Sequence, residues 1–318
     1  MTSLVVCRWS LINDQRRKTS DRFLSMRNTE LKKENDYWKG SFMAMASPCD
    51  VLMEVEDESL AQEILTVVAN EAWRIEDKFS RYKEDNIIFQ INHSNGDTVA
   101  IDEETSRLFD FADELYEISD GLFDVTSGVL RQLWKFDGSD NVPEKKQVKK
   151  LLKKIGWQKV DRESSGVMLP EGMEVDLGGI CKEYAVDRCV QIARHKTQQS
   201  VLINFGGDLA MTTERKNNAF WSVGRLIMGL DEACGLFQLY SGAIATSGDA
   251  NRYLLKDGVR YSHILNPLTG WSVIDAPHTV SVAAPTCIEA GMMSTLAMLQ
   301  GGRAEEFLKL QEVDYWVD

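Results

Sequence analysis

From Phe42 to Val55 the chain reads FMAMASPCDVLMEV. Val51, Met53 and Val55 alternate onto one face and Ser47-Pro48 breaks the run, which predicts two strand pieces opening the fold. Ala61, Ile64, Leu65, Val68, Ala72, Ile75 and Phe79 then recur at helical spacing, so an amphipathic helix is predicted over Glu58 to Phe79, stopping at Ser80-Arg81-Tyr82. After a loop through Asn92-His93-Ser94-Asn95-Gly96, the stripe Leu108, Phe111, Ala112, Leu115 and Ile118 predicts a second helix closed by Asp120-Gly121. The next stretch, LFDVTSG, is short, polar and turn-prone; a lysine-rich helix follows at about Pro143 to Ile155, its charge run a solvated face. Val160, Val167 and Val175 mark short strands. Further strands are predicted at Ser200–Phe205, Trp221–Ile227, Leu236–Tyr240 and Thr279–Ala284, and an apolar helix at Ile288–Leu299 with Thr286 able to cap it. Strands and helices segregate without regular βαβ alternation, so the fold class is α+β with a mixed or antiparallel sheet.

Composition narrows the function classes. The 318 residues are 43% hydrophobic, enough for a real core, and carry a net charge of −13 with no basic run to attract a nucleic-acid backbone. The six cysteines, at 7, 49, 181, 189, 234 and 287, form no CxxC pair and no zinc-type spacing with the four histidines, which fits reduced thiols in a cytoplasm. Leu4-Val5-Val6-Cys7 is faintly like a lipoprotein cleavage box, but it lacks a basic leader and a long apolar core, and Arg8 interrupts it. No apolar run approaches the roughly 20 residues a membrane-spanning helix needs. Residues 1–38 are polar and read as a flexible tail, with Met26 an alternative start. Residues 39–318 read as one domain, because no repeat, low-complexity segment or composition break interrupts them.

Candidate chemistry concentrates in two blocks. In Ser241 to Gly270, turns at Gly248, Gly258 and Gly270 separate short strands, and His263 falls at a strand end beside Thr246 and Ser247 in the same block. Its imidazole has the chemistry of a proton acceptor, or it is a strand-end histidine satisfied by a carbonyl. In Glu174 to Arg188, Asp176 precedes Gly178-Gly179 at the start of a helix, where open backbone amides would favour an anion such as a diphosphate; the competing reading is a plain strand-to-helix turn capped by Asp176. Lys182 shares a stripe with Val186, Cys189, Val190 and Ala193, so its ammonium either reaches the ligand end or snorkels.

The order of these blocks is more specific than any one of them: FSRY at 79–82, LFDVTSG at 122–128, DLGGICKEYAVDR at 176–188, NFGGDL at 204–209, ATSGD at 245–249 and SHILNPLTG at 262–270. Together they resemble the ApbE family of FAD:protein FMN transferases, over about residues 42–302. A Rossmann dinucleotide fold is excluded because no GxGxxG follows a first strand. The resemblance implies a two-lobed, T-fold-like α+β domain that binds FAD, cleaves its diphosphate with Mg²⁺ and transfers FMN to a threonine of a partner flavoprotein, releasing AMP. It implies flavin contacts at Met45, Tyr82, Leu122, Phe123, Asp124, Asp176, Lys182 and Ile264. It further implies phosphate contacts at Thr246 and Ser247, a proton acceptor at His263, and cation ligands at the Gly179 carbonyl and Thr295.

One departure bears on the metal. The family pattern ADALST carries a metal-binding Asp four residues before a metal-binding Thr, whereas here EAGMMST keeps Thr295 and has Gly291 in the Asp position. A hard cation wants charged oxygens, and Glu289 is rotated by roughly 200° on a helix, so it does not substitute. Two alternatives to transfer therefore stand beside it: an FAD-binding protein of weak or no transfer activity, and an FAD diphosphatase. Gly291→Asp is expected to restore a carboxylate on the face of Thr295 and to tighten Mg²⁺ binding.

Overall fold

The computed structural model describes residues 4–5, 27–226, 233–249 and 252–318. Its centre is an eight-stranded sheet of Glu30–Lys33 (β1), Trp38–Ala44 (β2), Ser47–Met53 (β3), Val201–Phe205 (β4), Asp208–Met211 (β5), Ala243–Gly248 (β6), Thr279–Ala284 (β7) and Asp314–Val317 (β8). The strands lie side by side in chain order, and every pairing is antiparallel. β1 falls within the segment 1–38 that the sequence reads as a tail, so this part of it pairs with the sheet. Residues 1–3 and 6–26 of that segment, and the expected strand end at Ile227, lie outside the described residues.

Alternation of side chains gives each strand two jobs. Val51, Met53, Val201, Ile203, Phe205, Ala243 and Ala245 enter one core, under the helices. Leu52, Leu202, Leu209, Met211 and Ile244 point the other way, onto Trp221, Val223, Phe237 and Leu239. Those residues belong to a small second sheet in which Trp221–Leu226 pairs antiparallel with Ala233–Leu239 and parallel with Leu4–Val5. The helices Glu58–Phe79 (α1), Glu103–Ile118 (α2) and Cys181–Lys196 (α3) are inserted between β3 and β4, and Cys287–Leu299 (α4) and Ala304–Leu310 (α5) between β7 and β8. α1 has the predicted bounds: Asp57 caps its first turn, and Ala61, Ile64, Leu65, Val68, Ala72, Ile75 and Phe79 are all buried. Thr286 and Glu289 form a reciprocal capping box on α4.

A smaller lobe stands apart from the sheet. The 3₁₀ segment Val125–Gln132 and the lysine-rich helix Lys145–Leu152 bury Val129, Leu130, Leu151 and Ile155 against Trp134 and Leu254, the last from the hairpin Tyr253–Lys256/Val259–Ser262. Trp134 Nε1 donates to the Gly270 carbonyl at 3.0 Å, tying the segment between β3 and β4 to the segment between β6 and β7.

Three local expectations shift. The β2–β3 break is at Met45-Ala46 rather than Ser47-Pro48, because both residues take left-handed φ (50° and 55°) in a two-residue turn. The loop expected through Asn92 begins later, since Ile88 and Ile91 bury one side of a short helix, Ile87–Asn92, capped by Asn86. Val160 and Val175 lie outside any strand: Val160 closes the 3₁₀ turn Trp157–Lys159 just before the strand Asp161–Glu163, and at Val175 the side-chain amide of Asn92 donates to its carbonyl and accepts from its N–H, replacing a strand partner.

Candidate active site

The turn before α3 is held from two sides. Asp176 Oδ1 accepts from the Gly178 N–H at 2.9 Å, its other oxygen pairs with Arg81, and its own N–H donates to the Val125 carbonyl. Gly128 permits this approach, because a Cβ there would stand 2.7 Å from Asp176 Cβ. The Gly178 amide is thus engaged by Asp176 and is not open to a ligand as the sequence suggested. α3 itself begins at Cys181, so Asp176 braces the turn without capping the helix. Gly179 is exposed and sits over the edge of the Phe123 ring, at 3.5 Å from where a Cβ would be.

The expected flavin contacts divide by what already occupies them. Tyr82 is 77% exposed, its ring under the Arg81 guanidinium and its hydroxyl accepting from Arg81 Nη2 at 2.9 Å. It is a flat, preset surface for stacking. Phe123 is buried and Leu122 half-buried. The Asp124 carboxylate accepts from the Thr126 N–H and hydroxyl and from the Trp157 N–H, so it holds the small lobe's first turn. Burial pushes Asp124 upward, against those three donors. Met45 occupies the β2–β3 turn, its N–H held by Glu76 Oε1 at 3.0 Å.

A second group gathers where α3, β5, β6 and α4 meet. Lys182 Nζ is 2.5 Å from Asp208 Oδ2, and Asp208 Oδ1 accepts from the Thr246 N–H at 3.1 Å. Burial alone would lower Lys182, but the Asp208 carboxylate outweighs it and holds the ammonium above its ordinary value. Ser247 Oγ lies 2.8 Å from Ser294 Oγ and 3.0 Å from Thr295 Oγ1. Ser247 and Thr295 thus meet across β6 and α4, whereas Thr246, the preceding residue of the strand, turns its hydroxyl to the opposite face of the sheet, 2.8 Å from Ser281 Oγ, and only its backbone N–H reaches Asp208.

Glu183 completes this group. Burial and the neighbouring Asp208 carboxylate push its carboxyl well above the usual range, only partly offset by Lys182. Its Oε2 is shielded from solvent and has no hydrogen-bond partner among the described residues. Its side chain lies on Gly291: a Cβ built there would be 2.5 Å from Glu183 Cγ and 3.0 Å from Oε1. The expectation for Gly291→Asp is therefore corrected, because the new side chain collides with Glu183 unless Glu183 moves. Glu289 is committed elsewhere, to the Thr286 N–H of the capping box.

His263 follows directly on the strand Val259–Ser262, as expected, and Ile264 packs between the main core and the α4–α5 layer. The His263 N–H donates to the Arg252 carbonyl at 3.0 Å, and its ring meets the edge of Phe136. Burial, seconded by Arg252, brings the imidazole down to about 4, with Asp249 opposing. It is therefore neutral at pH 7, and its shielded Nδ1 has no hydrogen-bond partner among the described residues. Asp249 is fixed by Arg260 and His278.

Sequence reasoning missed Arg81, Glu183 and Asp208 as members of the site. Asp208 and Arg81 lie inside the ordered motifs NFGGDL and FSRY, so a signal for both was present. Glu183 gave a weaker one, a charged residue one place beyond Lys182 on a helix whose buried stripe is otherwise apolar.

Residues 45–317 match the ApbE family, and the chain belongs to it. It is 27% identical over 271 residues to an FAD:protein FMN transferase of Klebsiella pneumoniae, covering 83% of this chain and 82% of that protein. Among solved structures, the ApbE protein of Thermotoga maritima superposes with a TM-score of 0.79 at 30% identity, over 88% of this chain and 94% of that one. The apo flavinyl transferase ApbE of Pseudomonas stutzeri shares the fold, with a TM-score of 0.75 at 20% identity over 92% and 90% of the two chains.

Proposed function

We propose that this protein is an FAD:protein FMN transferase. The observation that supports this reading is that separate parts of the ApbE match pair with one another: Lys182, on the helix that follows the Asp176 turn, with Asp208, Asp208 with the Thr246 N–H, and Ser247 with Thr295. In this reading Tyr82 and Phe123 border the isoalloxazine, while Met45, Leu122, Asp124 and Ile264 frame the flavin through backbone and apolar contact. Asp176 and Lys182 fix the walls of the cleft, the Ser247 hydroxyl orients phosphate oxygens, and Thr246 serves through the strand backbone that positions Ser247.

His263, neutral at working pH, accepts the proton of the incoming threonine hydroxyl. That oxygen forms a bond to the FMN phosphorus, the bond from that phosphorus to the bridging oxygen breaks, and AMP departs with the bridging oxygen. The residues present fit Mg²⁺: the Thr295 hydroxyl and the Gly179 carbonyl are hard oxygen donors, and Glu183 Oε2 is a buried carboxyl oxygen without a hydrogen-bond partner among the described residues. When bound, Mg²⁺ neutralises charge on the diphosphate. The acceptor is a redox or electron-transport flavoprotein that offers a threonine.

Among the described residues no helix is long and apolar enough to cross a membrane. A cytoplasmic setting belongs to the same proposal, supported by Cys49, Cys181, Cys189 and Cys287, all buried free thiols.

Purified protein incubated with FAD, Mg²⁺ and a flavin-accepting threonine protein is expected to raise the acceptor's mass by one FMN residue and release one AMP per transfer. FAD is expected to bind more tightly than FMN, because in this reading the site contacts the diphosphate as well as the ring. AMP release without a change in acceptor mass would make the protein a diphosphatase, and equal affinity for FAD and FMN would overturn the reading of the cleft.

A further inference from the structure

Gly291 sits inside α4, where a glycine costs roughly 0.5–1 kcal/mol relative to alanine, so its presence calls for a local cause. The cause is Glu183, which reaches from α3 and fills the space that any side chain at 291 would take, with Cγ 2.5 Å and Oε1 3.0 Å from the Cβ position. The carboxylate therefore arrives at the point on α4 one turn before Thr295, but from the neighbouring helix. Thr295 Oγ1 in turn lies 3.0 Å from Ser247 Oγ, within the hydroxyl cluster. Glu183 Oε2 is closed off from solvent and has no hydrogen-bond partner among the described residues, which is costly for a buried polar oxygen unless a ligand meets it. Asp208, the other carboxylate beside it, is already paired with Lys182, and Asp187 is spent on the N–H groups of Cys287 and Ile288 at the start of α4.

We propose that Glu183 supplies the cation with the carboxylate oxygen that α4 lacks, the pair Glu183/Gly291 having placed on α3 a ligand that would otherwise project from α4. The inference rests on the flavin-transferase reading and makes this chain a metal-dependent enzyme despite Gly291. It also makes the size of residue 291 and the charge of residue 183 a single, coupled choice.

The test uses Mn²⁺ as the probe, with bound and free ion separated by electron paramagnetic resonance in the presence of saturating FAD. FAD binding without metal is followed independently by quenching of flavin fluorescence. Wild type is expected to bind one Mn²⁺, and Glu183→Gln, which keeps the shape and removes the charge, to weaken it by at least about tenfold while FAD still binds. Gly291→Asp alone is expected to weaken the ion, because the two side chains compete for one space. Glu183→Ala with Gly291→Asp is expected to bind it within a few-fold of wild type, the carboxylate now coming from α4. Unchanged Mn²⁺ affinity in Glu183→Gln overturns the proposal, as does wild type that binds FAD but no Mn²⁺. If Glu183→Gln does not fold, the double variant decides: ion binding retained supports the proposal and ion binding lost overturns it. Wild type that binds no FAD at all would instead defeat the flavin reading beneath it.

Discussion

His263→Ala is expected to lower FMN transfer by about 10²–10⁴-fold, the range over which a positioned acid or base contributes, while FAD affinity and thermal unfolding stay close to wild type. The separation follows from how the residue is held. Its position depends on its backbone N–H to the Arg252 carbonyl, which alanine retains, and its ring meets the edge of Phe136. Among the described residues Nδ1 has no hydrogen-bond partner to lose.

Because burial lowers the imidazole to about 4, the acid limb of kcat/KM in the free enzyme is expected well below pH 6.5, nearer 4 to 5. The same shift fixes the sign of a stability effect. Between about pH 6.5 and 4 the unfolded chain takes up a proton that the folded chain refuses, so folding loses stability as pH falls through that window. His263→Ala should remove that part of the acid loss. An acid limb at pH 6.5, or a variant with full activity, would assign the proton acceptor elsewhere, and a variant that unfolds would make His263 structural.

What could be read from the sequence, and what could not, divides along a physical line. α1 was legible to its ends because seven apolar residues at helical spacing report burial directly and Asp57 and Ser80 punctuate it. Thr279–Ala284 and the capped helix after it were legible for the same local reasons. Where a distant partner decides the structure, local pattern misled. Val175 has the composition of a strand, yet the side chain of Asn92 satisfies its peptide groups; Gly178 has the composition of an anion-binding turn, yet Asp176 takes its amide. The site followed the same rule. The candidate hydroxyls at 246 and 247 are legible through the order of motifs, and Thr295 through the ADALST pattern that EAGMMST partly keeps. The contact of Glu183 with Gly291 joins positions more than a hundred residues apart, and no periodicity in one chain reports such a contact. For that reason Gly291 read as a loss when the carboxylate stands one helix away.

Lys182→Met is expected to destabilise the fold by about 3–5 kcal/mol, the usual consequence of leaving a buried charge without its partner. Asp208 is the charge left behind: its side chain is 3% exposed, against 23% for Lys182, so water cannot replace the ammonium where it is needed. The Thr246 N–H would remain as a donor to Asp208, and the Glu183 carboxyl nearby would make the site less hospitable still. Methionine preserves most of the stem's packing beside Val186 on α3, which confines the loss to the charge. Asp208→Asn combined with Lys182→Met is expected to recover most of the stability, since both charges are then gone and the amide oxygen can still accept from Thr246. The measurement is a double-mutant cycle on urea unfolding midpoints of the four proteins. A favourable coupling of about 1–3 kcal/mol would establish that the ammonium is turned inward to β5, bracing the strand turn that carries Asp208 against the hydroxyl cluster. If Lys182→Met were as stable as wild type, the ammonium would be a solvated group, and its place in the wall of the cleft would have to be given up.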